Sequence, residues 1–190
     1  MKDKTILPSK LLWVDLEMTG LDPDKDLILE VAAQITDFDF KTVSSYESKI
    51  YQEPKKIEKL LKANSWYTKE FPENIAIFLN GDESKKTSIQ VEDDLIELVK
   101  KDFNGELAIL AGNSIHKDRS FVTNYWPRLN KLLHYRMLDV SAWKIVMNSK
   151  FNVEYQKKSN HRAIDDIQAS ILELKFYLEW LNQSNNYKDL

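Results

Sequence analysis

The chain has no cysteine, which excludes disulfides, thiol nucleophiles and cysteine-ligated zinc or iron–sulfur centres. It has four glycines in 190 residues, and no Walker-type glycine loop is present to cradle a nucleotide's phosphates. No apolar run approaches the ~18 residues of a membrane span, so no membrane association is expected. The opening segment "MKDKTILPSK" lacks a signal-peptide core and an Arg-rich amphipathic stretch. The expectation is therefore a cytoplasmic protein, with a mitochondrial location requiring a removed or cryptic targeting segment. A basic excess is missing too: 27 Lys and Arg stand against 30 Asp and Glu, for a net charge of −3. Such a chain cannot hold long nucleic acid on a broad positive face. If phosphates bind here, bound divalent metals and a few placed cations must offset the acidity.

What is present is an ordinary globular composition, 43% hydrophobic and 30% charged, with no repeat, linker or low-complexity tract. It is read as a single domain over residues 1–190. Residues 10–17 predict a strand, Leu27–Phe38 a second and Thr42–Ile50 a third, together a meander. "PKKIEKLLKANSWYTKEF" predicts one helix with Ile57, Leu60 and Leu61 on one side. "GDESKKT" (81–87) reads as a polar loop. "TSIQVEDDLIELVKKDF" predicts another helix, capped by Ser88, with a stripe of Val91, Leu95, Ile96, Leu98 and Val99. "LAILAGN" (107–113) reads as a buried strand, followed by a helix from "DRSF" that should break near Pro127. "YRMLDV" predicts a strand, and Ser141 a cap for "AWKIVMN". A last helix spans Ala163 to Leu181, with Ile164, Ile167, Ile171, Leu174, Leu178 and Leu181 at helical spacing. Strands in a run, then alternating with helices, predict an α/β fold: a mixed sheet with helices packed on its faces.

The first strand raises the chemical question. In "LLWVDLEMTGLDPDKD" four apolar residues lead into Asp15 and Glu17, which alternation places on one face. Two carboxylates inside a sheet cost several kcal/mol each unless a cation lies between them. Asp118 follows the "LAILAGN" strand, and Asp165-Asp166 fall in the first turn of the last helix, shortly after His161. Taken singly, Asp118, Asp165 or Asp166 could be complementing a helix N-terminus, and His161 could be a surface or capping residue. Taken together, carboxylates at element ends with a nearby His suit a hard-cation site for Mg²⁺ or Mn²⁺. Two such ions stabilise the attacking and leaving oxygens of phosphoryl displacement, which points to phosphodiester hydrolysis.

"WVDLEMTGL", "GNSIHKDRSF", "HYRMLDVS" and "HRAIDDI" occur in that order between about residue 11 and residue 178. With these motifs the chain resembles the oligoribonucleases, of the histidine-containing branch of the DEDD 3′→5′ exonucleases. The resemblance implies an RNase H-like exonuclease fold with helices on both faces of a mixed sheet. It implies a homodimer that cleaves short single-stranded RNA, dinucleotides above all, to 5′-nucleoside monophosphates. By position, Asp15, Glu17, Asp118 and Asp166 would hold two divalent cations, and His161 would deprotonate the attacking water. The helical pattern alone does not choose Asp166 over Asp165; the motif does. Leu21 would wedge between bases. Ser114, Arg136 and Ser141 would bind the 5′-terminal phosphate, with Tyr135 contributed by the partner subunit. One departure stands out: where the family carries a base-stacking histidine five residues after the tryptophan, Trp66 is followed by Phe71. Phenylalanine stacks but bonds no phosphate or base edge. His116 and His134 are assigned no chemical role.

Two other readings compete. One is a related exonuclease acting on DNA or on long RNA ends, which could not use a closed 5′-phosphate pocket. The other is a non-catalytic RNA-binding or dimerisation module, for which five intact residues of the catalytic set would be superfluous.

Overall fold

The computed structural model describes residues 9–70, 72–79, 85–156 and 163–183. Strands β1 (Lys10–Met18), β2 (Ile28–Asp37) and β3 (Thr42–Lys49) form the expected antiparallel meander. Strands β4 (Ala108–Gly112) and β5 (Leu133–Asp139) extend it in parallel, giving the order β3-β2-β1-β4-β5. Strand β1 is thus central, with β2 antiparallel on one side and β4 parallel on the other. The β2–β3 turn closes on Asp37, whose Oδ1 accepts from the backbone N–H of Asp39 and Lys41 at 3.0 and 2.9 Å, the local bonding that suits Asp to turns.

Eight helices are described: α1 (Pro54–Ala63), α2 (Ser65–Glu70), α3 (Pro72–Leu79), α4 (Ser88–Phe103), α5 (His116–Tyr125), α6 (Pro127–Asn130), α7 (Val140–Phe151) and α8 (Ala163–Gln183). They cover both faces of the sheet. Leu12, Val14 and Leu16 of β1, with Val31, Ala33 and Ile35 of β2, pack against Val91, Leu95 and Val99 of α4 and Phe121 and Val122 of α5. The alternate residues Leu11, Trp13, Ala32 and Ala111 pack against Val140 of α7 and Ala163, Ile167, Ile171 and Leu174 of α8. Strand β2 is buried from Ile28 to Thr36, as a strand flanked on both sides and covered on both faces must be. None of the described helices is long and apolar enough to cross a membrane.

Several boundaries differ from the sequence reading, each for a local reason. The helix expected over 54–71 breaks at Asn64, whose ψ of 109° is extended. There the Asn64 side chain accepts from Trp66 N–H at 3.0 Å and donates to the Thr19 carbonyl at 2.9 Å. Helix α3 was not anticipated, because "PENIAIFL" is short and shows no polar–apolar alternation of helical period; Phe78 draws it onto Tyr67, ring edge to ring face at 6.2 Å. Helix α4 is capped by Thr87, not Ser88: Thr87 and Gln90 exchange side-chain bonds with each other's backbone. The Ser88 hydroxyl instead accepts from Trp126 Nε1 at 3.0 Å. Helix α5 begins at His116, two residues before Asp118, and the break at Pro127 falls as expected, between α5 and α6. Helix α7 is capped by Asp139, which accepts from Ser141 N–H at 2.9 Å, rather than by Ser141.

Candidate active site

Asp15 and Glu17 lie on the α8 face of β1, beyond the point where Leu11 and Trp13 pack against that helix. In the first turn of α8, Asp166 is buried while Asp165 is exposed. Carboxylate oxygens of Asp15, Glu17 and Asp166 all come within 4.8 Å of one another. Asp118, the third residue of α5, is buried as well and falls outside that trio. Its Oδ1 accepts from the backbone N–H of Leu16 at 3.0 Å, so Asp118 is tied to the strand residue between Asp15 and Glu17. Strand β2 adds a carboxylate that the sequence reading overlooked. Glu30 is buried directly opposite Glu17 in the ladder; its signal was a lone acid inside the apolar run "LILEVAA".

The electrostatics follow from this crowding. Burial first, then Asp15, Asp166, Glu30 and Asp118, push the Glu17 carboxyl up to about 9. Burial and the nearby Asp15 and Asp139 also raise Asp118 well above the usual carboxylate range. Every charged neighbour named here has the same sign, and like charges this close favour the protonated form of one another. The donors are hard carboxylate oxygens without sulfur or imidazole among the described residues, a set suited to an oxygen-seeking divalent cation. The residues fit such an ion.

Beside the carboxylates opens a cavity of about 400 Å³, lined by Leu16, Glu17, Met18, Gly20, Leu21, Asn64, Trp66 and Tyr67. The Tyr67 hydroxyl donates to the Met18 carbonyl at 2.7 Å, fastening α2 to the end of β1. Trp66 meets Tyr67 edge to face at 4.9 Å. Leu21, 63% exposed, stands at the tip of a loop that Asp26 closes. Asp26 accepts from the Thr19 hydroxyl at 2.9 Å and from Asp22 N–H at 3.0 Å. At Gly20 a Cβ would lie 2.4 Å from an Asp26 oxygen, so a larger residue would displace the Asp26 carboxylate. His161 and Phe71 lie outside the described residues.

A second polar group forms where β4 ends and α7 begins. Ser114 adopts a left-handed φ of 51°, an uncommon conformation for a residue with a side chain. Its N–H donates to Asp139 Oδ1 at 2.9 Å and to Ser141 Oγ at 3.0 Å, and the two serine hydroxyls stand 3.1 Å apart. The structure therefore brings Ser114 and Ser141 together. The Arg136 guanidinium lies over the exposed Tyr135 ring at 5.3 Å. Asp139 was missed in the sequence, although an Asp directly before a helix is a capping signal; it orients both serines and stands 3.6 Å from His116 Nδ1. His134 has a local role, accepting from Arg136 N–H at 3.0 Å and stacking on Tyr135 at 4.5 Å.

An exonuclease family model, of the RNase T type, matches residues 12–174. Mitochondrial oligoribonucleases of Bos taurus and Homo sapiens are each 38% identical over 175 residues, covering 90% of this chain and 73% of theirs. The oligoribonuclease of Francisella tularensis subsp. tularensis is 38% identical over 173 residues, covering 90% of this chain and 95% of its own. The chain belongs to the oligoribonuclease family. Solved structures agree on the fold. The zinc-bound exonuclease I–ssDNA complex of E. coli superposes with a TM-score of 0.61 at 13% identity over 88% of this chain. Exonuclease I of Methylocaldum szegediense gives 0.61 at 13% over 93%. This chain spans only about 40% of the length of those two, and at that identity the likeness concerns architecture alone. The mixed sheet covered on both sides is the RNase H-like exonuclease fold.

Proposed function

We propose that this chain is a 3′→5′ exoribonuclease that degrades short single-stranded RNA, dinucleotides above all, to 5′-nucleoside monophosphates. The observation that carries the reading is the gathering of Asp15, Glu17 and Asp166 within 4.8 Å, at the C-terminal end of β1. In an α/β sheet that end is where ligands bind. With Asp118, these residues would hold two divalent cations, Mg²⁺ or Mn²⁺. Bound there, the cations would offset the charge on the scissile phosphate and on the attacking and leaving oxygens. His161 takes a proton from the attacking water as the new P–O bond forms. The bond from phosphorus to the 3′-oxygen of the preceding nucleotide breaks, and that oxygen takes up a proton from water to become a 3′-hydroxyl. The 3′-terminal nucleotide leaves as its 5′-monophosphate. The cavity beside Leu21 and Trp66 accepts bases, with Leu21 as the wedge and aromatic stacking as the attraction. Ser114, Ser141 and Arg136 close around the 5′-terminal phosphate. Arg136 leaves the Tyr135 ring to do so, since a guanidinium fork matches a terminal phosphate.

The same reading makes the protein a homodimer, one domain per subunit. Strand β5 is the outer strand of the sheet, and with α7 it exposes Tyr135, Met137, Ile145 and Val146. Pairing of this face with a second copy would bring the partner's Tyr135 to the substrate. Light scattering that found only a 22.3 kDa species at micromolar concentration would remove that contribution. The mitochondrial designation belongs to the bovine and human relatives.

The deciding experiment is single-turnover cleavage, with Mg²⁺, of a 5′-labelled two-mer beside a twenty-mer at equal concentration. The two-mer should be cleaved faster. Loss of one charged hydrogen bond is worth roughly 1.5–3 kcal/mol, so Arg136→Ala should slow the two-mer at least tenfold. A twenty-mer degraded as fast as the two-mer, or an Arg136→Ala variant with an unchanged two-mer rate, would identify a general 3′→5′ exonuclease instead.

A further inference from the structure

Behind the two serines a polar chain runs into the interior, and the residues assigned above do not account for it. Ser141 Oγ donates to Asn113 Oδ1 at 3.2 Å. Asn113 Nδ2 donates to Ser170 Oγ at 2.9 Å and to Glu173 Oε2 at 3.1 Å. Ser170 Oγ donates to the Asp166 carbonyl at 2.8 Å. Glu173 is completely buried and accepts from the Tyr177 hydroxyl at 2.9 Å, with the Lys144 ammonium 3.9 Å from Oε1 as its counter-charge. A buried carboxylate with this many partners is costly to assemble and gives a fixed arrangement once satisfied.

The chain has one direction. Ser170 has a single proton, committed to the Asp166 carbonyl, so toward Asn113 it can only accept. Glu173, with its counter-charge beside it, also accepts. Both therefore require the amide nitrogen of Asn113 to face α8, and its oxygen must face Ser141. Asn113 Oδ1 then fixes the Ser141 hydroxyl, whose lone pairs meet the N–H and hydroxyl of Ser114. At its other end the chain is anchored on α8, the helix that carries Asp166.

We infer that Asn113 and Glu173 are positioning residues that brace the 5′-phosphate serines against the helix bearing Asp166, and so set the spacing between the phosphate pocket and the carboxylates. That spacing is the length of substrate that can engage both ends at once. A brace of this kind would make the enzyme a ruler: a dinucleotide fills the interval, and a longer chain cannot place its 5′-phosphate in the pocket. The inference rests on the proposed function, because it presupposes that Ser114 and Ser141 hold a terminal phosphate.

The test compares kcat/KM for a 5′-phosphorylated dinucleotide and for the same dinucleotide lacking the phosphate, in wild type, Asn113→Ala, Glu173→Leu and Glu173→Gln. The wild type should prefer the phosphorylated substrate. Asn113→Ala and Glu173→Leu should lose most of that preference, at least about tenfold, through lost hydrogen bonds to a charged group. Their loss should appear chiefly in KM, while turnover of the unphosphorylated dinucleotide and Mn²⁺ affinity by calorimetry stay near wild type. Glu173→Gln should keep the preference, because its amide oxygen still accepts from Asn113 while its NH₂ donates to the Tyr177 oxygen. Asn113→Ala with its preference intact would overturn the brace, and so would equal losses on both substrates. Asn113→Ala and Glu173→Gln decide the matter even if Glu173→Leu fails to fold. A wild type indifferent to the 5′-phosphate would instead overturn the terminal-phosphate pocket itself, and the brace with it.

Discussion

On one face of β1, Leu12, Val14 and Leu16 sit in a continuous apolar cluster under α4 and α5. On the other face Leu11 and Trp13 begin in the same way under α8, and then Asp15 and Glu17 take the places where the packing would continue. The first face is stabilised by area removed from water, which depends on neither pH nor metal. The second carries carboxylates of like charge, and burial first, then those neighbours, raise the Glu17 carboxyl to about 9. A single strand thus shows both how the fold is held and where it is weakened so that a cation is wanted. The difference separates substitutions that should act on activity from those that should act on stability.

The largest effect should come from Asp15→Asn, which removes one charge from the trio and should abolish turnover while leaving the protein folded. EDTA should do the same reversibly to the wild type. A fully active Asp15→Asn enzyme would end the metal-site assignment. His161→Ala should follow, with a loss of roughly 10²–10⁴ in rate as expected for a general base and with Mn²⁺ affinity by calorimetry largely kept. Equal losses of both would make His161 a ligand or a structural residue.

The opposite face gives the inverse result. Leu12 is 1% exposed in the α4 cluster, and Leu12→Ala should cost about 2–5 kcal/mol of stability in urea unfolding, by lost transfer energy and the cavity left behind. Turnover per folded molecule should stay near wild type. A Leu12→Ala enzyme that is stable but slow would mean that the two faces are not independent.

How much of this was legible in the sequence varied with the kind of signal. The β1 carboxylates could be read because alternation along a strand is strict and four apolar residues led into them. The Asp165/Asp166 ambiguity could not be resolved from helical spacing, as both flank the stripe; burial against the sheet leaves Asp165 exposed and Asp166 inside. The pairing of Asn113 with Glu173 stayed hidden for a different reason. It spans 60 positions, and no local pattern encodes such a bond. The helix break at Asn64 depends likewise on a bond to Thr19, 45 positions away. Where the sequence reading placed caps on Ser88 and Ser141, the neighbouring Thr87 and Asp139 won, because each is placed to accept from an unpaired N–H of the first turn.

The smallest effect sharpens the contrast between the faces most cleanly, because it can be measured without substrate. In the metal-free protein the Glu17 carboxyl is raised by burial and by four carboxylates, from its ordinary value of 4.5 to about 9. Between those values the folded protein holds a proton that the unfolded chain has released. The folded state is then favoured least where that proton must be given up, so stability falls as pH rises from 4.5 toward 9. Melting of the metal-free enzyme should therefore come at a lower temperature at about pH 8 than at about pH 5.5, by about 2–4 °C for each kcal/mol in a chain of this size. Mn²⁺ should reverse the order. A cation binds the folded state alone and raises its stability by mass action, and it does so best where protons no longer compete for the carboxylates. Glu17→Gln should flatten the metal-free pH slope and shrink the gain from Mn²⁺. Leu12→Ala should lower melting by the same amount at both pH values, since its side chain is packed among apolar residues. A wild-type pH slope that Glu17→Gln leaves unchanged would show that the charge on this face is not what weakens the metal-free fold.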